Sequence, residues 1–496
     1  MPSRPIKMMK HIALAGCAAM ALSACATIPG ANVAPGSPIT QPEAALGAEY
    51  HPQFMAEFGG EMTGPAADYV RQVGQNIAVH SGLANARGAF TVTFLNSPVP
   101  NAFAVPGGYV YSTRGLVGLM NNEAELAAVL GHEVGHVSAR HSARRQATAQ
   151  RNQLGGAAIA VLSSILLGNN QVGQQIGQAA LQGSQLLTLS YSRSQETQAD
   201  ELGIQYLRSA GYDPRAMGTV LASLAAQNSL DAQLQGRDAR MPEWASTHPD
   251  PAGRVRAALQ MAGSSAGSGV VNRDTFLTRI NGLMYGDDPE QGIIEGRQFI
   301  HPTLRLSFTA PDGFYMVNGV RAVSINGDAG RAQLSTAPYN GNLQTYIRQV
   351  FQQLGGQQQQ LAPQTLENAN INGIRAAYGM ARVTSGQNQV DVVVYAYEFS
   401  GNQAFHFAAI TPAGRASVFN QMFQSMRRIT ASEASAITPR RIDVVTVQRS
   451  DTVQSLARRM AFTDAQEARF RVLNGLGAND TVTPGQKVKI VIRTSR

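Results

Sequence analysis

The chain has 496 residues, a formal net charge of +8 and only two cysteines. This length exceeds what one hydrophobic core supports, so we expect several domains, and an apolar content of 44% excludes a disordered protein. After the N-terminus, no uninterrupted apolar run reaches the roughly 18 residues of a membrane-spanning helix.

Residues 1–24 have the pattern of a signal peptide, because a basic start precedes the apolar run 12–22. The small residues before Cys25 resemble a lipobox, in which the cysteine becomes acylated. Cys17 also fits, but cleavage there would leave an apolar run of only about five residues. Ala26 follows this cysteine, and by resemblance to known lipoproteins a residue other than aspartate at this position favours the outer membrane. We therefore predict a periplasmic protein that is lipid-anchored through Cys25.

Composition divides the rest of the chain. Stretches rich in small residues and proline predict a flexible tether and two linkers between globular regions. The predicted regions are the tether 25–45, a globular domain 46–262, a linker 263–295, an α+β domain of unknown role 296–430, a linker 431–440 and a small module 441–496. Residues 155–168 are strongly apolar, typical of a core helix or of a flap over substrate.

The positive charge is concentrated at the C-terminus. Residues 440–496 contain eleven Lys/Arg and five Asp/Glu. A basic surface can bind nucleic acid, but an exported protein seldom meets it. We therefore expect contact with an anionic wall or membrane and no nucleic-acid partner.

A helix with two histidines carries the strongest signal. Asn122 precedes it as an N-cap, and Glu125 completes a capping-box pattern. His132 and His136 are four residues apart, so their imidazoles share one helix face and can bind one metal ion. Glu133 can accept a proton from zinc-activated water and return it to the leaving amine. The pattern predicts a zinc peptidase site.

A catalytic zinc site needs a third protein ligand. The metzincin pattern would place it at Ser142, and His141 is one residue short, so we interpret His141 as a surface or packing residue. Glu196 and Asp200 are four apart on a predicted helix. We predict that Glu196 binds zinc and that Asp200 accepts a hydrogen bond from a ligand imidazole. A solvated acidic face is the alternative.

Further motifs carry a family resemblance. They are Asn101–Gly108 followed by Tyr109–Tyr111, Ser192–Gly203, and Ser246–Pro249 with Arg254. With the two-histidine helix, region 46–262 resembles family forty-eight of the metallopeptidases, the gluzincin family of HtpX and the CAAX prenyl protease. The resemblance implies a mostly helical zincin with a small sheet. Without the membrane spans of HtpX, the chain is similar to the lipoprotein branch.

The resemblance also implies roles for two other stretches. One would be an edge strand over the zinc that pairs with an extended polypeptide substrate, formed by Ala104, Val105, Pro106, Gly107 and Gly108. His248 would either stabilise the oxyanion in catalysis or bind the zinc from a mobile loop as an inhibitory ligand. A plain strand and turn, and a histidine that is only hydrogen-bonded, are the alternatives.

Strand, helix, helix, strand is the order predicted across 441–496. The landmarks Ser450–Thr452, Leu473–Asn474 and Pro484–Gly485 resemble the LysM module, which binds N-acetylglucosamine glycans such as peptidoglycan. The resemblance implies a glycan groove formed by Asp451, Thr452, Asn474 and Gly475. A packing module without a ligand is the alternative.

We therefore predict an α+β protein with a mostly helical zincin protease domain with a small sheet, a second α+β domain and a small βααβ LysM module. Its predicted function is that of a periplasmic endopeptidase with Zn²⁺ as cofactor, which degrades misfolded or misassembled envelope proteins. Its predicted partners are extended polypeptides, peptidoglycan and, through the lipid, the outer membrane. The alternatives are a mostly latent chaperone-like or peptidoglycan-binding scaffold and a peptidoglycan peptidase.

Overall fold

A computed structural model describes most of the chain. It covers residues 29–145, 191–234, 248–263, 267–355, 361–385 and 388–494. The predicted signal peptide, Cys25 and the apolar segment 155–168 lie outside these ranges. Among the residues described, none of the helices combines the length and apolar character needed to cross a bilayer.

The first part of the chain places helices around a small sheet. Strand β1 (Thr91–Leu95) is parallel to β3 (Tyr109–Thr113), and β2 (Ala102–Val105) pairs antiparallel with the other side of β3. The helices are α1 (Gln41–Glu57), α2 (Pro65–Ala78), α3 (Arg114–Leu119), α4 (Glu123–Ser138), α5 (Arg193–Ser209), α6 (Ala216–Leu234) and α7 (Pro251–Ala262). One core joins α2, α3, α4, α5, α6 and α7, and α4 is buried along its whole length. Helix α1 packs on β2 and β3 in a separate, smaller cluster.

Helix α4 begins at the predicted cap. Asn122 Oδ1 accepts a hydrogen bond from Glu125 N at 2.9 Å, as expected of an N-cap. The Glu125 carboxylate accepts from Asn121 N at 2.7 Å rather than from the cap residue itself. The reciprocal bond of the predicted capping box is therefore displaced one residue upstream.

The stretch 263–295, predicted as a linker, contains regular structure. It includes helix α8 (Arg273–Ile280) and the short strand β4 (Met284–Tyr285). Phe276 and Leu277 of α8 are buried in the first core. Small polar residues indicate backbone freedom, but they do not exclude a short helix whose apolar side packs on a distant surface.

The predicted tether 25–45 also makes defined contacts. Gly36 N donates to Ser138 O at 2.9 Å, and Arg140 donates to Ser37 O at 2.9 Å and forms a buried ion pair with Glu43. The segment before α1 therefore packs against the C-terminal end of α4.

In the middle of the chain, the described residues form two sheets and two helices. The strands are β5 (Ile293–Glu295), β6 (Gln298–His301), β7 (Leu306–Thr309), β8 (Tyr315–Asn318), β9 (Val323–Gly327), β10 (Gly330–Thr336), β11 (Thr365–Ile371), β12 (Ile374–Ser385), β13 (Asn388–Ser400), β14 (Gln403–Pro412) and β15 (Arg427–Arg428). An antiparallel seven-stranded sheet has the order β11-β12-β13-β14-β10-β9-β8, and a smaller sheet has the order β15-β7-β6-β5. Helix α9 (Leu343–Gly355) packs on one face of the large sheet, and the smaller sheet with α10 (Asn420–Ser425) packs on the other.

The C-terminal part has the predicted βααβ order. The helix α11 (Ala431–Ala436) lies in the predicted linker 431–440. It is followed by β16 (Arg440–Thr446), α12 (Val453–Ala457), α13 (Gln466–Leu473) and β17 (Lys487–Arg493). Strands β16 and β17 are antiparallel, and β4 adds a third strand beside β16. The mixture of helices and sheets confirms the predicted α+β class.

Candidate metal centre

Helices α4 and α5 bring the predicted ligands together. His132 Nε2 and His136 Nε2 lie 3.0 Å apart on α4. Glu196, in the first turn of α5, places Oε1 3.4 Å from His136 Nε2 and Oε2 3.6 Å from His132 Nε2. All three side chains are buried.

Two glycines allow the close crossing of these helices. A Cβ on Gly203 of α5 would lie 3.1 Å from His132 N, and a Cβ on Gly135 of α4 would lie 3.1 Å from Ala199 O. Side chains at these positions would push the helices apart. Their absence lets the Glu196 carboxylate reach both imidazoles.

His248 joins the centre from the segment before α7. Its Nδ1 lies 3.2 Å from His132 Nε2 and 3.1 Å from Glu196 Oε1. Asp250, two residues later, caps the start of α7. One ligand atom from each of His132, His136, Glu196 and His248 lies within 4.8 Å of the others.

Hydrogen bonds around the imidazoles determine which nitrogens carry protons. His132 Nδ1 donates to Asp200 Oδ1 at 2.9 Å, because an ionised carboxylate only accepts. His141 Nε2 donates to Gln198 Oε1 at 2.9 Å, so a neutral His141 accepts at Nδ1 from His136 Nδ1, also at 2.9 Å. In the neutral imidazoles, the Nε2 atoms of His132 and His136 therefore both carry lone pairs.

This donor set fits a divalent cation. Unprotonated imidazole nitrogens and a carboxylate crowd one buried point, and such an arrangement is unfavourable unless a positive charge lies among them. Imidazoles combined with one carboxylate suit zinc and neighbouring first-row metals.

The pKa shifts of His136 and Glu196 agree with a metal-binding state, whereas the pKa of His132 is raised, because burial, which lowers it, is outweighed by Asp200 and Glu196. Burial lowers the pKa of His136, which favours the neutral imidazole. Burial alone would raise the pKa of Glu196, but His248 and His136 outweigh it and lower the pKa overall. A neutral imidazole and an ionised carboxylate are the forms that bind a metal.

Glu133 lies beside this cluster. It is buried on α4 between the two histidines, and its Oε1 is 3.5 Å from His248 Nε2. A proton acceptor for water at the centre would have to occupy such a position.

Two sequence families match different parts of the chain. Residues 66–262 match the model of peptidase family M48, and residues 445–491 match that of the LysM domain. The chain contains an M48 peptidase domain. The matches confirm the M48 domain and the C-terminal LysM domain predicted from the sequence, and the M48 match includes His132, His136, Glu196 and His248.

Three curated relatives share part of this chain. A beta-barrel assembly-enhancing protease of Escherichia coli O157:H7 is 34% identical over 198 residues, which are 39% of this chain and 38% of the relative. That of Yersinia pestis is 34% identical over 226 residues, 44% of each chain. The mitochondrial metalloendopeptidase OMA1 of Schizosaccharomyces pombe is 30% identical over 217 residues, 43% of this chain and 59% of the relative. The chain thus spans 38–59% of the length of these relatives.

Arg254 of the M48 domain holds the two carboxylates of α5. It donates to Asp200 Oδ2 at 2.8 Å and to Asp200 Oδ1 at 2.6 Å, and it forms an ion pair with Glu196. Burial would raise the pKa of Asp200, but hydrogen bonds from His132 and Arg254 lower it overall. The sequence indicated Arg254 only as part of a motif, because its carboxylate partners lie on another helix.

Aromatic and polar packing fixes His136. The ring of Tyr191 stacks on the His136 ring with centroids 3.7 Å apart, and the Tyr191 hydroxyl is 2.8 Å from Ser142 Oγ. His141, interpreted as a surface or packing residue, is buried next to His136. Tyr191 has no sequence signal, since it stands just before α5 and outside any helical period.

The predicted substrate strand lies at the edge of the three-stranded sheet. Ala104 and Val105 end β2, are buried, and pair with β3 on one side. The turn 106–108 packs beneath α1, since a Cβ on Gly47 would lie 2.3 Å from Pro106 O. Ala104 and Val105 thus lie on the edge strand, and Pro106, Gly107 and Gly108 lie in the turn after it. Their role in substrate binding stays a prediction.

The predicted glycan residues have structural partners within the LysM domain. Asp451 accepts a backbone hydrogen bond at 2.8 Å, and Thr452 caps α12. Asn474 is buried; its Nδ2 donates to Lys489 O at 2.9 Å and its Oδ1 accepts from Lys489 N at 2.7 Å. Gly475 has a φ of 64°, which favours glycine. Their role in glycan binding stays a prediction.

Proposed function

We propose that this chain is a zinc-dependent endopeptidase of the bacterial periplasm. The observation that supports it most is the convergence of His132, His136 and Glu196 at one buried point, with Glu133 beside them. These three residues would hold the metal, as three protein ligands do in catalytic zinc sites. When bound there, zinc supplies Lewis acidity that polarises a peptide carbonyl and makes water more nucleophilic.

The residues around the centre then have separate tasks. Glu133 accepts the proton of the attacking water and returns it to the leaving amine. Asp200 and Arg254 keep His132 and Glu196 in their orientations. The backbone of β2 pairs with an extended polypeptide, so that sequence demands on the substrate are loose.

Removal of the metal tests this proposal. The full chain as purified should contain a single zinc ion, and dialysis against a chelator should reduce casein cleavage to background. Added zinc should restore cleavage, and circular dichroism should show that the fold survived dialysis. Full activity of a metal-free chain would contradict the proposal.

His248 supports a latent form of the enzyme. Its Nδ1 faces His132 Nε2 and Glu196 Oε1 at 3.2 and 3.1 Å, where a fourth ligand would sit. A site with four protein ligands is closed to water, whereas a catalytic site keeps one position open. Of its two predicted roles, we therefore propose that His248 is an inhibitory ligand that leaves when substrate enters. This also favours, as a second function, a scaffold in which proteolysis is mostly latent.

Replacement of His248 by alanine should raise casein turnover while zinc is retained. An increase of about fivefold or more is expected if the closed form dominates, because activity scales with the population of the open form. Turnover and metal content of the variant and the wild type check this result. A loss of activity with zinc retained would instead assign His248 to the oxyanion, and unchanged turnover would leave it as a hydrogen-bonded residue.

The N-terminal sequence supports the proposed compartment, and the similar proteases support the proposed substrates. The pattern around Cys25 supports lipidation and attachment to the outer membrane. Relatives from Escherichia coli and Yersinia pestis are named beta-barrel assembly-enhancing proteases. We propose that this enzyme likewise acts in the envelope, on misfolded or misassembled proteins.

The LysM domain is proposed to bind peptidoglycan. Purified sacculi should retain the full chain, and a soluble N-acetylglucosamine oligomer should release it. Because this region is basic, retention at high salt separates glycan binding from attraction to an anionic wall. No retention, or release by salt alone, would reject the wall-binding role.

A further inference from the structure

Lys489 is a buried lysine at the contact between the LysM and M48 domains. It lies on β17 with 0% of its surface exposed. Its Nζ donates to Gly118 O at 2.9 Å and to Met120 O at 2.6 Å. These carbonyls lie at the end of α3, and Asn122, two residues after Met120, caps α4, the helix that carries His132 and His136. A single ammonium group therefore joins the last strand of the chain to the start of α4.

Other charged groups surround the same loop. Arg273 donates to Asn121 O at 2.9 Å and to Lys487 O at 3.2 Å, and thus bridges the loop and β17. Glu125, in the first turn of α4, accepts from Asn121 N and attracts Lys489 electrostatically. Burial lowers the pKa of Lys489 to about 7, and the attraction to Glu125 acts against that shift. Buried charges of this kind are retained only with such partners.

The docking of the LysM domain extends beyond this lysine. Strand β4 pairs with β16, and Arg114 of α3 donates to Met284 O of β4 at 3.3 Å. Ile442 of β16 is buried in the core of the M48 domain. The LysM domain is therefore built into the peptidase and does not hang from a linker.

The same lysine is tied to the predicted glycan groove. Asn474 hydrogen-bonds both the backbone N and O of Lys489. A Cβ on Gly475 would lie 3.1 Å from Asn121 Nδ2 of the loop before α4. A displacement of 474–475 would therefore reach Lys489 and this loop directly.

We propose that Lys489 is a positioning residue for the metal centre, through which the docked LysM domain sets the position of α4. His132 lies nine residues into this helix, about 14 Å along its axis, and a rigid helix carries a shift of its first turn to its ligands. A misplacement of about 1 Å at a catalytic centre can lower the rate 10²-fold. The effect on catalysis rests on the proposed peptidase function, whereas the effect on α4 does not.

Full-length Lys489→Met and Lys487→Met variants test this inference. Lys487 is a matched control, because it lies on the same strand, is partly exposed and forms an ion pair with Asp274 at 3.4 Å. Lys489→Met should speed hydrogen exchange in 118–136, weaken zinc binding in a competition assay, and lower kcat for a casein-derived peptide about tenfold with KM changed less than about twofold. Lys487→Met should leave all of these unchanged.

A double variant keeps the test decisive if Lys489→Met does not fold. Adding Glu125→Gln removes the buried negative charge that Lys489 no longer balances, so the double variant should fold. Compared with Glu125→Gln alone, the double variant should still show fast exchange in α4 and a low kcat. The inference would be overturned if a folded Lys489 variant kept the hydrogen exchange and the kcat of the wild type. It would also be overturned if Lys487→Met lost zinc affinity and kcat to the same extent. If the wild type cleaves nothing while Lys489→Met still loosens α4, the proposed function fails and the positioning contact stands.

Discussion

Replacement of Glu133 by glutamine should lower casein cleavage by about 10²- to 10⁴-fold, the usual contribution of a positioned acid–base group. The amide keeps the shape of the side chain but cannot accept the proton of the attacking water. Glu133 does not belong to the group of four potential metal ligands, so the zinc content should stay at the wild-type value. Its side chain is buried, and an uncharged amide is easier to bury than a carboxylate, so the fold should not suffer.

A matched control separates the chemistry from a general effect. Glu201→Gln makes the same change on α5 at an exposed residue next to Asp200, and its activity should equal that of the wild type. Metal analysis and a cleavage time course on all three proteins measure the difference. If Glu133→Gln still cleaves casein at the wild-type rate, another group must act as the base. Restoration of a deletion strain by this inactive variant would instead favour the scaffold function.

The Glu196→Gln variant should lose its metal. Its carboxylate is fully buried, lies within 3.4–3.6 Å of both imidazoles of α4, and would supply the negative charge of the ligand set. Residues that only orient a ligand are worth about 10- to 100-fold in metal affinity, so loss of a ligand should exceed about 100-fold. Cleavage should fall with zinc occupancy and should recover in part at high zinc concentration.

Asp200→Asn is the graded comparison for this variant. The uncharged amide accepts the hydrogen bond from His132 Nδ1 more weakly than the carboxylate does. Zinc affinity should therefore fall by about 10- to 100-fold, which is less than for Glu196→Gln. Zinc titration against a competing chelator compares the two. Equal affinities of Glu196→Gln and wild type would show that Glu196 is not a ligand, even though it lies in the centre.

The metal-free proteins should also differ in their response to acid. The folded-state pKa of Glu196 lies below its ordinary value of 4.5. As the pH falls, the unfolded chain therefore binds a proton at Glu196 before the folded chain does. The ionised carboxylate therefore stabilises the metal-free fold above about pH 4.5, and this contribution is lost as the pH falls through the folded-state pKa. Thermal unfolding between neutral pH and pH 3 should be less pH-dependent for Glu196→Gln. An identical dependence in both proteins would contradict the ion pairs of Glu196 in the fold.

Local rules in the sequence were enough to predict α4. Four-residue spacing places His132 and His136 on one face because of the helical repeat, and Asn122 marks the start of the helix. The same spacing on α5 indicated Glu196 and Asp200. The M48 and LysM families could be predicted for the same reason, because each of their motifs consists of residues close together along the chain.

The completion of the metal centre depends on distances between helices. Arg254 has no recognisable spacing to Glu196, because the two meet only when α7 packs on α5. The hydrogen bond from His141 to Gln198, which determines the tautomer of His136, likewise joins the segment after α4 to α5. For His248, the sequence left two roles open, and its place next to His132 Nε2 could come only from tertiary packing.

The helix with two histidines, the order of elements in the LysM domain and the M48 motifs could be predicted because each depends on residues close together along the chain. Three other features are visible only in the folded chain. Helix α8 and the segment before α1 pack onto the M48 domain, Asn474 forms its hydrogen bonds with Lys489, and Lys489 reaches the loop before α4. These contacts join residues far apart along the chain, and their stability comes from burial, which composition and periodicity do not specify.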